Sequence, residues 1–185
     1  MKRIFEISLT LLLLTVSAVS VAQYTYVSSE SSMVIFGTSN VHDWEETCEN
    51  VTGTLNLDLE ASKIIKVTGI EMNIPVKGIK SGKGAMDENT YKALKESTHP
   101  IITYKIKSYG VTDGKVHLTG TLTIAGVSQD VKFPATYVVE GNKIKFKGSC
   151  TLKMTDYGIA PPTAVMGTIK CGDDLKFEFD IVFSK

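Results

Sequence analysis

The sequence has no excess of charge of either sign and very few histidines. Its 185 residues include 20 lysines and arginines and 20 aspartates and glutamates, so the formal net charge is zero. Proteins that follow the phosphates of a nucleic acid normally carry a basic excess, so this balance argues against nucleic-acid binding. The three histidines, His42, His99 and His117, are scattered and have no partners at metal-ligand spacing. The sequence therefore predicts no metal site.

The sequence also lacks a recognisable catalytic motif. His42 and Asp43 are adjacent, but neighbouring residues of a strand point in opposite directions, so Asp43 is not placed to orient the imidazole. No serine or cysteine stands in a nucleophile motif. We interpret His42, Asp43 and Trp44 as a cluster at the rim of the fold, and we expect neither catalysis nor a cofactor.

One long apolar run is present, and it lies at the N-terminus. Lys2 and Arg3 precede apolar residues 4–21, and the small residues Ser20 and Ala22 suit cleavage by a signal peptidase. We expect residues 1–22 to be a signal peptide and residues 23–185 to form one exported domain. The alternative is an uncleaved anchor, for which the run is short.

The most frequent pattern in the remaining chain is a period of two. Between Lys143 and Met154, apolar or small residues alternate with polar ones almost without fault. The members of the apolar face are Ile144, Phe146, Gly148, Cys150, Leu152 and Met154. This alternation is typical of a strand with one dry face and one wet face.

Similar segments predict about eight strands in total. They begin near Ser32, Val51, Ile64, Ile102, Val116, Val131, Lys143 and Leu175. In the first strand, Val34, Phe36 and Thr38 are expected to face inward, and residues 43–50 are expected to form a charged turn. One helix from Asp87 to Ser97, with Asp87 as its N-cap, is predicted after the third strand.

These elements predict an all-β fold, an eight-stranded antiparallel barrel with a two-sheet sandwich as the alternative. An outer-membrane barrel is excluded because its outward face must be apolar, whereas here the polar faces carry lysine, threonine and acidic residues. The apolar faces therefore point inward. Closure of eight strands leaves an interior that can hold one small ligand.

The three cysteines predict one disulfide bond. Cys150 lies on an apolar face, which favours a buried free thiol, whereas Cys48 and Cys171 lie in polar segments. In a closed barrel the first and last strands are neighbours, and these two cysteines follow the first strand and precede the last. We expect them to be bonded at one rim, with three free thiols as the alternative.

Four segments resemble the YceI-like family. They are His42-Asp43-Trp44 and residues 79–104, 120–131 and 153–170. Their order and spacing extend the resemblance over nearly all of residues 23–185. YceI-like proteins are exported bacterial proteins with a lipocalin-like barrel that binds polyisoprenoid and other long amphiphilic chains. The resemblance implies the same fold, a periplasmic location and a ligand of this class for this chain. The cysteines at 48, 150 and 171 depart from the general family pattern.

The inward faces provide the candidate ligand-binding residues. From the residues alone, a solid core and a hollow are equally open; Gly53, Gly120 and Gly148 remove volume and favour a hollow, or they mark bends. The resemblance favours the hollow. Its expected lining is Phe36, Trp44, Met72, Ile74, Tyr104, Leu118, Leu122, Phe133, Tyr137, Phe146, Leu152, Met154, Phe177 and Phe179. Lys80 and Lys83 are candidates for contact with the ligand's head group, because they lie in a glycine-rich loop before a helix start, which suits anions; the alternative is a solvated loop. His42, in the rim cluster, is a third candidate.

The predicted function is a non-enzymatic periplasmic carrier, monomeric or homodimeric, for a polyisoprenoid, an isoprenoid quinone or a fatty-acid-like lipid. Transient contact with a membrane is expected. One alternative is an enzyme that acts on a small amphiphile with His42 or Asp43 as base. Another is a stress-related or interaction module with a filled core and no ligand.

Overall fold

The computed structural model describes residues 22–112 and 114–185, so the predicted signal peptide lies outside the described residues except for Ala22. The strands are β1 (Ala22–Tyr26), β2 (Ser32–Ser39), β3 (Trp44–Cys48), β4 (Thr52–Glu60), β5 (Lys63–Pro75), β6 (Ile79–Lys80), β7 (Ile101–Thr112), β8 (Lys115–Ile124), β9 (Val127–Glu140), β10 (Lys143–Lys153), β11 (Thr163–Ala164) and β12 (Ile169–Ser184). One α-helix, α1 (Gly84–Ala93), lies between β6 and β7. The all-β prediction is confirmed.

Eight of these strands form a closed ring. Their hydrogen-bonded order is β1, β4, β5, β7, β8, β9, β10, β12. The ring closes where β12 pairs with β1, through Thr25 opposite Ser184 and Tyr26 opposite Phe183. All neighbours in the ring are antiparallel. From β12 the sheet also continues through β2 and β3 to β6.

The described sheet has 12 strands instead of the predicted eight because three long strands are each divided in two and a short strand, β11, is added. β1 and β2 lie end to end along β12. On their other edge, β4 pairs with β1 and β3 pairs with β2. β5 continues into β6 after a short 3-10 turn, Val76–Gly78. The two-residue β11 pairs with the start of β12. Alternation locates dry faces, but it does not reveal where a strand bends and exchanges neighbours.

The predicted position and bounds of the helix are wrong. α1 follows the sixth strand, and its N-cap is Lys83. Asp87 lies inside the helix, and its carboxylate accepts hydrogen bonds from the backbone N–H and the hydroxyl of Ser81, at 2.8 and 2.6 Å. Asp87 therefore ties the preceding loop to the helix. The helix stops before Ser97 because Lys95 adopts a left-handed backbone, with φ 55°.

The inward face of β2 also differs from the prediction by one residue. Met33 and Gly37 are buried, whereas Val34, Phe36 and Thr38 lie on the other face. Residues 33–36 are all apolar, so alternation alone does not choose a face there. The pairing of β2 with β3 decides it, because Gly37 lies opposite Trp44 and a Cβ at Gly37 would meet the indole ring at 2.1 Å.

The inward glycines do not enlarge the interior. A Cβ at Gly120 would lie 2.6 Å from the ring of Tyr104, and one at Gly53 would lie 2.3 Å from the sulfur of Met72. Neighbouring side chains therefore occupy the space that these glycines vacate. These glycines allow close packing between neighbouring strands, so the side-chain volume that they lack is not evidence for a hollow.

We expect Gly148→Ala to lower the free energy of unfolding by about 1–3 kcal/mol. A Cβ at Gly148 would lie 2.2 Å from the backbone oxygen of Pro134 and 2.7 Å from the ring of Phe179. Gly110→Ala is the control, because a Cβ there has no neighbour within 4 Å. Urea unfolding of both variants is the measurement. Equal effects of the two substitutions would contradict this packing.

Candidate ligand-binding cavity

The closed sheet and α1 enclose a cavity of about 450 Å³. This volume is within the range of small-molecule sites in proteins, about 300–1,000 Å³. Its wall is almost entirely apolar. The exposed lining residues His42, Lys83 and Lys153 show where the cavity meets solvent, between the β2–β3 connection, the start of α1 and the end of β10.

All but two of the predicted lining residues contact this cavity. They are Trp44, Met72, Ile74, Tyr104, Leu118, Leu122, Phe133, Phe146, Leu152, Met154, Phe177 and Phe179. They converge because they occupy alternate positions of strands whose dry faces turn to one interior. The aromatic members also pack edge to face, with the ring of Phe133 5.1 Å from Tyr104 and 6.0 Å from Phe179.

The other two predicted lining residues lie outside the cavity. Phe36 is on the opposite face of β2 and lines a shallow surface groove with Trp44 and Lys83. Tyr137 packs against Phe146, with ring centres 6.4 Å apart. The Tyr137 hydroxyl accepts a hydrogen bond from the backbone N–H of Ile64 at 3.4 Å, which fixes it to β5.

Two of the three head-group candidates lie at the cavity, and the third does not. His42 and Lys83 line the cavity and are exposed. The Lys80 ammonium instead donates to the hydroxyl of Tyr91 at 2.5 Å and lies 3.8 Å from the carboxylate of Asp87. The hydrogen bond with Tyr91 is the main cause that raises the pKa of Lys80. Lys80 therefore belongs to the network that holds α1.

The helix forms part of the cavity wall, which the strand pattern did not predict. β6 pairs with β3 at Thr47 and Cys48, the last two residues of β3. Beside the earlier residues of β3 the wall is formed by α1, whose Thr90 donates a hydrogen bond to Glu46. Met86, Thr90 and Ala93 of α1 and Leu94, the residue directly after it, line the cavity. Their spacing is that of one face of a helix, and this signal was present in the sequence.

The predicted disulfide bond is absent, and all three cysteines, which lie within the described residues, are free thiols. Residues 43–50 are mostly strand β3, not a turn, and β3 carries Cys48 back from the rim. Thr47, next to Cys48, pairs with Val34, whereas Cys171 pairs with Ser39. Five residues of strand correspond to roughly 17 Å, but bonded cysteines need Cα atoms within about 7 Å. Burial raises the pKa of Cys48 to about 12, so its thiolate is scarce at neutral pH.

The most unusual lining residue is the buried acid Glu46. Its relative exposure is 2%, and its carboxylate accepts a hydrogen bond from the Thr90 hydroxyl at 2.6 Å. Burial raises the pKa of Glu46 from 4.5 to about 7; the Thr90 hydrogen bond opposes this shift and the charge of Asp87 adds to it. The run E-E-T-C-E predicted a solvated turn. The one sequence signal for an inward position of Glu46 is that it alternates with Trp44 and Cys48, so the three side chains lie on the same face of a strand.

Two tyrosine hydroxyls are also buried in this region. Within the described ranges, the hydroxyl groups of Tyr104 and Tyr157 have no hydrogen-bond partner, and both side chains line the cavity. Burial raises the pKa of both, that of Tyr157 to about 12. Both hydroxyls are therefore protonated at neutral pH.

The side chains of His42 and Asp43 do not form a preformed acid–base pair at the rim. Nδ1 of His42 lies 2.8 Å from the backbone oxygen of Asp43, and both residues are exposed. In residues 22–112 and 114–185, no three metal-ligating side chains lie together. No helix in the same two ranges has the length and apolar character to cross a membrane.

Comparisons with known proteins agree on one family and one fold. A family model described as the YceI-like domain matches residues 24–183. A search of curated proteins gives no match. Among solved structures, BcnA of Burkholderia cenocepacia has a TM-score of 0.71 and 17% identity, covering 85% of this chain and 98% of that chain.

Two further solved structures are similar. A YceI protein of Campylobacter jejuni has a TM-score of 0.64 and 22% identity, covering 76% of this chain and 84% of its own. A polyisoprenoid binding domain from Saccharophagus degradans, implicated in plant cell wall breakdown, has a TM-score of 0.65 and 12% identity. The match covers 89% of this chain and 99% of that domain. At these identities the likeness shows a shared fold.

We expect Glu46→Gln to stabilise the protein at pH 8 and to have little effect at pH 5. The native state holds the Glu46 proton up to about pH 7, whereas the unfolded chain releases it near its ordinary value of 4.5. The free energy of unfolding of the parent protein therefore falls as pH rises between these values. Glutamine removes this loss, which is on the order of 3 kcal/mol at most. Urea unfolding at both pH values is the measurement, and a gain of the same size at pH 5 would contradict the assignment.

Proposed function

The chain belongs to the YceI-like family, since the family model spans residues 24–183, and we propose that it binds the hydrocarbon chain of a long amphiphile inside the ring. The observation that supports this most directly is the apolar cavity of about 450 Å³. The match also confirms the resemblance that the four sequence segments indicated.

The energetics favour an apolar occupant. Protein interiors rarely contain voids larger than a water molecule. The cavity is open to solvent at its rim, so its almost entirely apolar wall faces water when no ligand is bound, and an apolar occupant would remove that surface from water at a gain of about 25 cal/mol per Å². Burial of each methylene group contributes about 0.8 kcal/mol. A chain of roughly ten methylenes would therefore bind with micromolar affinity before the costs of ordering it are subtracted.

The ligand class that we propose is a polyisoprenoid, an isoprenoid quinone or a fatty-acid-like lipid. The solved domain described as polyisoprenoid binding has the same fold, which supports this choice. The ring of antiparallel strands would serve as a lipocalin-like barrel. Ligand affinity would come from buried chain area, because most of the wall offers no polar partner.

We further propose a carrier without catalytic activity that is exported to the periplasm by residues 1–22. A protein that hides a hydrocarbon chain from water would load and release it at a membrane by transient contact. The segment between β10 and β12 contributes Tyr157, Ile159 and Pro162 to the cavity lining and forms one side of its opening.

We expect Leu118→Trp to weaken binding of a long-chain probe at least tenfold, because the indole would occupy the cavity. Leu118 is 7% exposed and lines the cavity, whereas Val138 is 53% exposed and does not line it. Val138→Trp is therefore the matched control. The measurement is native mass spectrometry of each protein with a long-chain alcohol, after circular dichroism has shown that both variants fold. Equal binding by the two variants would overturn the proposed site.

A further inference from the structure

Resting on the proposed function, we infer that Glu46 determines which amphiphiles the cavity accepts. The carboxylate favours a chain whose polar end donates a hydrogen bond, an alcohol or an ammonium, and disfavours a chain that ends in a carboxylate. The polar end then lies inside the cavity beside Glu46, and not at the rim beside Lys83 and His42.

The hydrogen bonds of Glu46 leave acceptor capacity unused. A carboxylate has two oxygens and about four acceptor positions. Thr90 is the one hydrogen-bond partner of Glu46 among the described residues, and it donates to Oε1. The residue is 2% exposed and belongs to the cavity lining. A buried acceptor in an apolar wall gains most from a ligand group that donates to it.

The register places Glu46 below the rim. Glu46 lies opposite Ile35 of β2, and Ile35 lies opposite Phe177 of β12. Trp44, two residues nearer the rim along β3, lines both the cavity and the surface groove. Two residues of strand correspond to roughly 7 Å, so a group that reaches Glu46 has passed the indole.

The charges around Glu46 do not offset its negative charge. Asp87 of α1 has the same sign; its carboxylate accepts hydrogen bonds from Ser81 and lies 3.8 Å from the ammonium of Lys80, which donates to Tyr91 and not to Glu46. The thiols of Cys48 on β3 and Cys171 on β12 also face Glu46 and are neutral when protonated. The cationic groups of the cavity lining, Lys83 and Lys153, are exposed at its opening, as is His42. Among the ion pairs of the described residues, Glu46 has none. A ligand carboxylate beside Glu46 would therefore meet like charge.

Glu46→Gln separates this role from a purely structural one. If the carboxylate only ties α1 to β3, the amide oxygen of glutamine accepts the same hydrogen bond from Thr90 and leaves ligand preference unchanged. If the charge selects ligands, the preference disappears. Glu45→Gln is the matched control, because Glu45 is exposed on the outer face of the same strand and the net charge changes equally.

The experiment compares dodecanol, dodecylammonium and dodecanoate, which share one chain and differ in the head group. Their affinities for the parent protein and both variants are measured at pH 8 by displacement of N-phenyl-1-naphthylamine. We expect the parent and Glu45→Gln to bind the alcohol and the ammonium at least tenfold more tightly than the carboxylate. In Glu46→Gln this gap should fall to about threefold or less, because dodecanoate gains affinity and dodecylammonium loses it.

A second arm uses pH. At pH 6, where Glu46 is largely protonated, dodecanoate should bind the parent several-fold more tightly than at pH 8, whereas Glu46→Gln should show little change. If all three compounds bind without this ranking, or if Glu46→Gln keeps it, the selectivity inference is overturned while the proposed function stands. If none of them displaces the probe from the parent protein, the proposed function itself fails, and the inference with it.

Discussion

The structure depends on the pairing that closes the sheet, in which the end of β12 returns to β1. β12 has 16 residues and pairs with β10 along one edge and with β2 and then β1 along the other. Phe183 lies at the closing point, where its ring packs edge to face on Tyr26 and on Phe146. Once the ring is closed, every dry strand face turns to the same interior. The hydrogen-bonded circumference, not side-chain volume, then sets the size of the cavity.

The closed wall is chemically uneven, and this unevenness is the basis of the ligand selectivity that we infer for the cavity. Most of the wall is strand, but beside β3 it is a helix, and there the buried carboxylate of Glu46 bonds to Thr90. A buried acid with a raised pKa reduces stability at neutral pH. Glutamine would keep the hydrogen bond without that cost. The selectivity that we infer requires the charge and would account for a glutamate at this position.

Alternation along the chain predicted the all-β fold, the antiparallel order and most of the lining, because Leu118, Leu122 and Phe146 lie in long strands with one clear dry face. It chose the wrong face where residues 33–36 are all apolar. It also misplaced Cys48, because the charged residues 43–50 form a strand instead of a turn. These errors share a cause. Alternation is local, whereas strand breaks, register and the contact between α1 and Glu46 depend on partners distant in the chain.

A crystal structure of the protein grown with a long-chain alcohol would test most directly whether the closed ring has room for a ligand. We expect continuous density for an extended chain against Leu118, Phe133 and Phe179, with the ring pairing of β1 and β12 intact. An interior in which these side chains meet one another and leave no density for the alcohol would contradict this expectation.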